Sequence, residues 1–281
     1  MESKKPKVSV IIPCFNQGQY IDDAVESVLN QTFEDFEIIL VNDGSTDAGT
    51  IQKLKNYSRP KCKVIHTNNQ GTSLARNTGI QASSGEYILP LDADDKISLK
   101  YLEEAVEILD KEARIGIVYC EVEFFGEKTG KWNLPDFSVE RILLRNMIIS
   151  CALFRKSDYL KTNGYNSNMK YGWEDWDFWL SLIEKSVGVY KLPDVHFFYR
   201  VKNGNSRESD MHLSSEKPRY SLNTIYLNHF DLYVDKMGNP IELYSKLNSV
   251  LSSKNYKIGR FITYPARKLR GLLRNTFNNN D

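Results

Sequence analysis

Residues 86–95 read Glu-Tyr-Ile-Leu-Pro-Leu-Asp-Ala-Asp-Asp, a short apolar run that stops at three carboxylates, Asp92, Asp94 and Asp95. Such a knot of charge is costly unless a cation neutralises it, and an all-oxygen donor set suits Mg²⁺ or Mn²⁺. An ion of that kind keeps waters and bridges to substrate phosphates, so the chemistry implied is that of an enzyme handling a phosphorylated substrate. An isolated D-x-D-D is more simply an acidic turn capping the next helix, but here it is not isolated. Residues 172–179 read Gly-Trp-Glu-Asp-Trp-Asp-Phe-Trp, with Glu174, Asp175 and Asp177 crowding the first turn of an expected helix that runs to about 185. The positive end of a helix dipole accounts for acids there, but not for three tryptophans within seven residues. Large flat side chains beside carboxylates suit a sugar-binding cleft, where rings stack on pyranose faces and acids take hydroxyls. Core packing is the competing reading for the tryptophans.

The elements that must position these residues follow from hydrophobic periodicity. Strands are expected at 8–13, 36–41, 63–66, 87–91 and 115–120, and helices at 20–29, 47–56, 72–82 and 99–110. That alternation predicts an α/β fold, a mostly parallel sheet flanked by helices, with a Rossmann-like nucleotide-binding half over about 6–120. Asp92, Asp94 and Asp95 then fall at the carboxyl end of a strand, where open α/β sheets bind ligands. No G-x-G-x-x-G follows a strand, so a dinucleotide is not the favoured ligand. Residues 121–210 form an aromatic-rich second half, completing a domain over 1–210. A helical C-terminal extension over 211–281 has candidate helices at 213–235 and 240–251.

The chain has 281 residues, 41% apolar and 26% charged, enough for one sizeable core. A formal net charge of +1 argues against a nucleic-acid binder. The charge is uneven, since residues 254–280 hold seven Lys/Arg and no acid, leaving 30 basic against 35 acidic residues before them. Over 257–275 the apolar residues (Ile258, Phe261, Ile262, Leu269, Leu272, Leu273) lie apart from most of the basic ones, around Pro265. Such a segment either lies in an anionic membrane surface or docks as a solvated terminal helix. The helical C-terminus could equally serve a homodimer. Cys14, Cys62, Cys120 and Cys151 form no C-x-x-C pair, so reduced thiols are expected rather than zinc or disulfides. With no signal peptide or spanning segment read, the expected location is cytoplasmic, or peripheral at the inner face of the cytoplasmic membrane.

Five ordered stretches carry a resemblance: Val-Ser-Val-Ile-Ile-Pro-Cys-Phe-Asn (8–16), Val-Asn-Asp-Gly-Ser-Thr-Asp (41–47), Asn-Gln-Gly-Thr-Ser-Leu-Ala-Arg-Asn-Thr-Gly (69–79), Leu-Asp-Ala-Asp-Asp (91–95) and Trp-Glu-Asp-Trp-Asp (173–177). Together, over roughly residues 6–205, they resemble the inverting, GT-A-fold glycosyltransferases of family 2. The resemblance implies a nucleotide site of Pro13, Phe15, Asn16, Asp43, Gly71, Arg76, Asp92 and Ala93, with Asp43 on the uracil imide and Arg76 either contacting the nucleotide or bracing the acidic motif. Asn42 stands where an Asp is commoner, and Asn77 would help shape the third helix. It implies a divalent cation, Mn²⁺ or Mg²⁺, on Asp94 and Asp92. His196 is either a further metal ligand, as in some members, or a packed histidine. Asp95 is either a ligand or a helix cap. It implies Asp175 as general base, with Glu174 beside it as the competing assignment. Trp173, Glu174 and Trp176 would bind the acceptor, and Arg200 with the loop from Lys202 to Arg207 would close over the diphosphate.

The function expected is non-processive, inverting transfer of a sugar from a nucleoside diphosphate sugar, UDP by family habit, to a hydroxyl of a glycan or lipid-linked saccharide. Processive synthases of the family carry Q-x-x-R-W and membrane spans, and neither is read here. A nucleotidyltransferase would show basic residues in the loop after the first strand, where this chain has Pro-Cys-Phe-Asn-Gln-Gly. A catalytically dead sugar-binding module would show erosion of the acids, yet Asp43, Asp92, Asp94, Glu174 and Asp175 are all present.

Overall fold

The computed structural model describes residues 5–202 and 215–262. Arg207, His212 and the segment 263–275 lie outside the described residues. The chain divides into two compact units, Met1–Phe230 and Asp231–Asp281.

The first unit opens with the expected alternation: β1 (Val8–Cys14), α1 (Ile21–Leu29), β2 (Phe36–Asp43), α2 (Ala48–Lys55), β3 (Cys62–Thr67), α3 (Thr72–Ala82) and β4 (Tyr87–Pro90). β1 is buried along its whole length, as a strand covered by helices on both faces must be. α1 buries Ile21, Ala24, Val25 and Val28, one stripe of a 3.6-residue repeat. α2 starts at Asp47, whose carboxylate accepts the Thr50 N–H at 2.7 Å. α3 packs tightly on β1 because Gly79 has no Cβ; one there would lie 2.4 Å from Ile11 Cγ2.

The second half departs from a simple parallel series. β5 (Lys96–Ile97), α4 (Tyr101–Lys111), β6 (Ile115–Gly126), β7 (Gly130–Trp132), α5 (Val139–Ile142), β8 (Leu153–Arg155), α6 (Lys156–Tyr159), α7 (Glu174–Ile183), β9 (Gly188–Val201) and α8 (Glu216–Asn228) follow. The strands form one sheet in the order β3-β2-β1-β4-β8-β6-β9-β5, with β7 on β6. β1, β2, β3 and β4 run parallel. β8 is antiparallel to both β4 and β6, so it joins the halves. β9 runs parallel to β6 and carries β5 antiparallel at the edge.

The expected helix at 213–235 is instead broken at His229, between α8 and α9 (Phe230–Met237). His229 is buried, with Nδ1 2.7 Å from the Glu184 carboxylate, which fixes the end of α8 on α7. The second unit holds α9 from Asp231 onward and α10 (Pro240–Ser252), which Asn239 caps through the Ile241 N–H at 2.8 Å. α10 buries none of its residues. No helix among the described residues is long and apolar enough to cross a membrane.

Candidate active site

β1 pairs with β2 on one side and β4 on the other, so the chain's winding reverses at β1 and leaves a crevice beyond the strand ends. A cleft of about 640 Å³ lies there, lined among others by Pro13, Phe15, Asp43, Gly71, Asp92 and Asp94. Asp43 ends β2 and is buried. Its carboxylate accepts the N–H groups of Gln70 (2.9 Å) and Gly71 (2.8 Å) and the Thr67 hydroxyl (3.3 Å). The loops after β2 and β3 therefore hold its orientation. They touch at Gly44, in the left-handed region at φ +64°, where a Cβ would lie 2.3 Å from the Asn69 nitrogen. Asn42 accepts the Ser45 N–H, and its amide nitrogen meets His66 Nδ1 at 3.1 Å, so both ends of the amide have a partner.

Three expected nucleotide residues do not line this cleft. Asn16 is left-handed at φ +56°, which asparagine tolerates. Its amide oxygen accepts the N–H groups of Thr46 and Asp47, so it ties the β1 loop to the β2 loop. Ala93 is fully buried. Arg76, also buried, lies beneath the cleft between two acids, donating to Asp92 at 2.7 Å and to Glu174 at 3.0 Å. One planar guanidinium thus joins Asp92, at the end of the β4 turn, to Glu174, at the start of α7. Asn77, one position along α3, holds Tyr165 through both its N–H and its carbonyl.

The carboxylates of the 92–95 turn differ in state. Asp92 is held through one oxygen by Arg76, and Asp94 through one oxygen by Lys202 (2.5 Å) and Gln17 (3.2 Å). Two such carboxylates fit a hard divalent ion that draws its remaining ligands from water and phosphate. Asp95 is pushed well above the usual carboxylate range by burial and by Asp94 and Asp92. It accepts the Arg200 N–H at 2.8 Å, and α4 starts only after Lys100, so Asp95 caps no helix. Arg200 reaches the Asp94 carbonyl oxygen (2.7 Å) and Asp23 (2.5 Å), which fixes the end of β9 against the turn.

His196 does not join this group. Antiparallel pairing sets Lys96 opposite Phe198, so the Ser98 N–H reaches the His196 carbonyl while Arg200 reaches Asp94 and Asp95. Four residues of strand, about 13 Å, separate His196 from Arg200. Its ring nitrogens meet Ser98 Oγ (2.6 Å) and Glu104 (3.0 Å), and the ring stacks on Tyr101. Among the described residues, its potential co-ligands are Glu104 and Asp194 rather than Asp92 or Asp94.

Across from the donor acids, α7 begins at Trp173, left-handed at φ +66°. Asp175 lies deep in the protein with part of its surface open to solvent. Burial, then the neighbouring Glu174 charge, pushes its carboxyl up to about 7. Arg76, the Trp176 N–H (2.8 Å) and the Asn146 amide (2.9 Å) oppose that rise. A carboxyl titrating near neutrality can take a proton from an attacking hydroxyl. Asn146 was invisible in the sequence because it lies 29 positions from Asp175 in a stretch with no motif.

The tryptophans separate. Trp176 is only 3% exposed, and its indole N–H donates to the Ile142 carbonyl at 2.7 Å, so it belongs to the core and not to the acceptor surface. Trp179 is fully buried. Trp173, partly open and edge-on to Trp176, is the one of the three placed to meet a ligand.

The family description "Glycosyl transferase family 2" matches residues 9–177. An uncharacterised glycosyltransferase of Haemophilus influenzae is 30% identical over 279 residues, covering 90% of this chain and 85% of that protein. The minor teichoic acid biosynthesis protein GgaB of Bacillus subtilis is 31% identical, over 80% of this chain but only 26% of its own length. The crystal structure of Staphylococcus aureus TarS 1–349 in complex with UDP-GlcNAc superposes with a TM-score of 0.62. It is 20% identical, over 82% of this chain and 73% of that one, a likeness of fold.

Proposed function

The chain belongs to glycosyl transferase family 2, and on that footing we propose that it moves a sugar from a UDP-sugar to a hydroxyl of a cell-envelope glycan or lipid-linked saccharide, with inversion and one residue at a time. The observation that carries this reading is the Arg76 bridge, which holds a donor-side acid and the acid next to a carboxyl of pKa about 7 on a single guanidinium.

In this reading Pro13 and Phe15 flank the base and Asp43, oriented by two backbone N–H groups, accepts the uracil imide N–H. Asp92 and Asp94 would hold a Mg²⁺ or Mn²⁺, whose Lewis acidity would offset charge building on the leaving diphosphate. Asp175 takes the acceptor proton as the hydroxyl attacks the anomeric carbon from the face opposite the leaving group, which inverts that centre. Trp173 and Glu174 face the acceptor. The UDP-GlcNAc complex of TarS and the teichoic acid role in the name of GgaB make UDP-GlcNAc the first donor to try. A peripheral membrane location is supported in the second unit, where Ile258, Phe261 and Ile262 are exposed beside Lys257 and Arg260.

The test is calorimetric titration of the protein with UDP, dTDP and GDP, with and without Mn²⁺, followed by UDP release from UDP-GlcNAc by wild type and Asp175→Asn. Preferred binding of UDP, with turnover lost and binding kept in the variant, is the expected result. Absence of binding by folded protein would overturn the donor site, and undiminished turnover in the variant would overturn the base.

A further inference from the structure

Two cations reach the donor cleft from the end of β9, and they are held very differently. The Arg200 guanidinium donates to the Asp94 carbonyl and pairs with Asp23, and it lies over the rings of Tyr20 and Phe125. Lys202, directly after the strand, has one ionic partner among the described residues, the Asp94 oxygen at 2.5 Å, and stands 5.2 Å over the Tyr20 ring. Its side chain is 28% exposed and lines the cleft. A lysine ammonium is a compact charge on a flexible four-carbon stem and can swing several ångströms at small cost.

The position of that ammonium has a consequence for every other cation. Lys202 holds only one Asp94 oxygen, and a divalent ion taking the other would still lie within a few ångströms of the ammonium, where two positive charges repel strongly. Metal and lysine therefore compete for Asp94. A donor diphosphate entering the cleft brings negative charge close to Lys202, which among the described residues has a single carboxylate to leave.

We propose that Lys202 is a resident counter-ion that guards Asp94 in the empty cleft and passes to the donor's diphosphate, releasing Asp94 to a metal. The transfer couples the two ligands: diphosphate draws the lysine away and raises metal affinity, and metal on Asp94 frees the lysine for diphosphate. Coupling of this kind is reciprocal by necessity. In the empty cleft the ammonium also offsets the Asp94 charge, so that a negatively charged nucleotide meets less repulsion when it enters before any metal does. This inference rests on the donor-site reading above.

Full-length wild type, Lys202→Met and Lys202→Arg are titrated with Mn²⁺ alone, and with UDP and uridine in chelator, with circular dichroism as the check on folding. The methionine variant is expected to bind Mn²⁺ about tenfold more tightly and UDP in chelator about tenfold more weakly, with uridine unchanged. The arginine variant keeps UDP binding near wild type. In wild type, saturating UDP raises Mn²⁺ affinity, and the methionine variant keeps only the smaller gain that direct contact of ion and diphosphate supplies. Unchanged or weaker Mn²⁺ binding by folded Lys202→Met would overturn the proposal, as would unchanged UDP binding in chelator. Failure of wild type to bind either uridine or UDP under any condition would instead remove the donor-site reading and this inference with it.

Discussion

Asn146→Ala isolates the tuning of the proposed base. The Asn146 amide donates to Asp175 Oδ2 at 2.9 Å, a bond stronger when the carboxyl is ionised. Hydrogen bonds to charged groups are worth about 1.5–3 kcal/mol, and partial solvent access to Asp175 points to the lower end, because water can replace the lost donor. At about 1.4 kcal/mol per unit, the variant's carboxyl rises by about one unit. The wild-type group is pushed up to about 7, so it is protonated and idle as a base below that pH. Raising it to about 8 cuts the ionised fraction at pH 6 from about 9% to about 1%, and at pH 9 only from about 99% to about 91%. The expected result is an acid limb of kcat/KM displaced by about one pH unit, with near-normal rates at pH 9. The assay is UDP release from UDP-GlcNAc across pH 5.5–9.5, with water as acceptor where no sugar acceptor is in hand. Asn146→Asp, which adds a like charge, displaces the limb further the same way. A uniform loss with the limb unmoved, or a limb displaced toward acid, would refute the assignment of Asp175.

The same raised carboxyl makes a stability prediction: the unfolded chain loses this proton near pH 4 and the folded one near 7, so stability falls as pH rises through that window. Asp175→Asn should therefore melt higher than wild type at pH 8 and not at pH 4, as read by calorimetric scans. Arg76→Met leaves Asp92 and buried Glu174 without their shared cation and should lower unfolding free energy by about 3–5 kcal/mol in urea titration. Trp176→Ala should cost about 3–5 kcal/mol of stability, whereas Trp173→Ala should spare stability and raise the acceptor KM. Phe261→Asp should reduce co-flotation with anionic but not neutral vesicles, and 0.5 M salt should do the same to wild type; equal flotation with both would count against an interfacial tail.

The parallel half was legible because its strands are continuous apolar runs and its helices keep a 3.6-residue stripe; α3 has the expected boundaries, and those of β1, β2 and α7 differ from expectation by a residue or two. β9 was not read, since Pro193 and Asp194 interrupt it and β-bulges shift its register against β6. β8 is three residues long, too short to carry a period. Within the site, motif order located Asp43, Asp92, Asp94 and Asp175 but could not say which way neighbours face. Trp176 looks like a sugar platform until its N–H is found on a carbonyl 34 positions upstream. His196 looks like a ligand until strand pairing sets it beside Ser98 and Glu104.

β8 has a consequence for how this chain can be cut and recombined. Because it pairs with β4 on one side and β6 on the other, the parallel half is covered on its β4 side by a strand that belongs equally to the second half. A fragment ending after α4 would expose β4 as a raw edge beside the fully buried β1, a template for aggregation. The two halves are thus tied into one sheet through a single short strand. Swapping whole halves between relatives would have to rebuild both ladders of a three-residue strand at once.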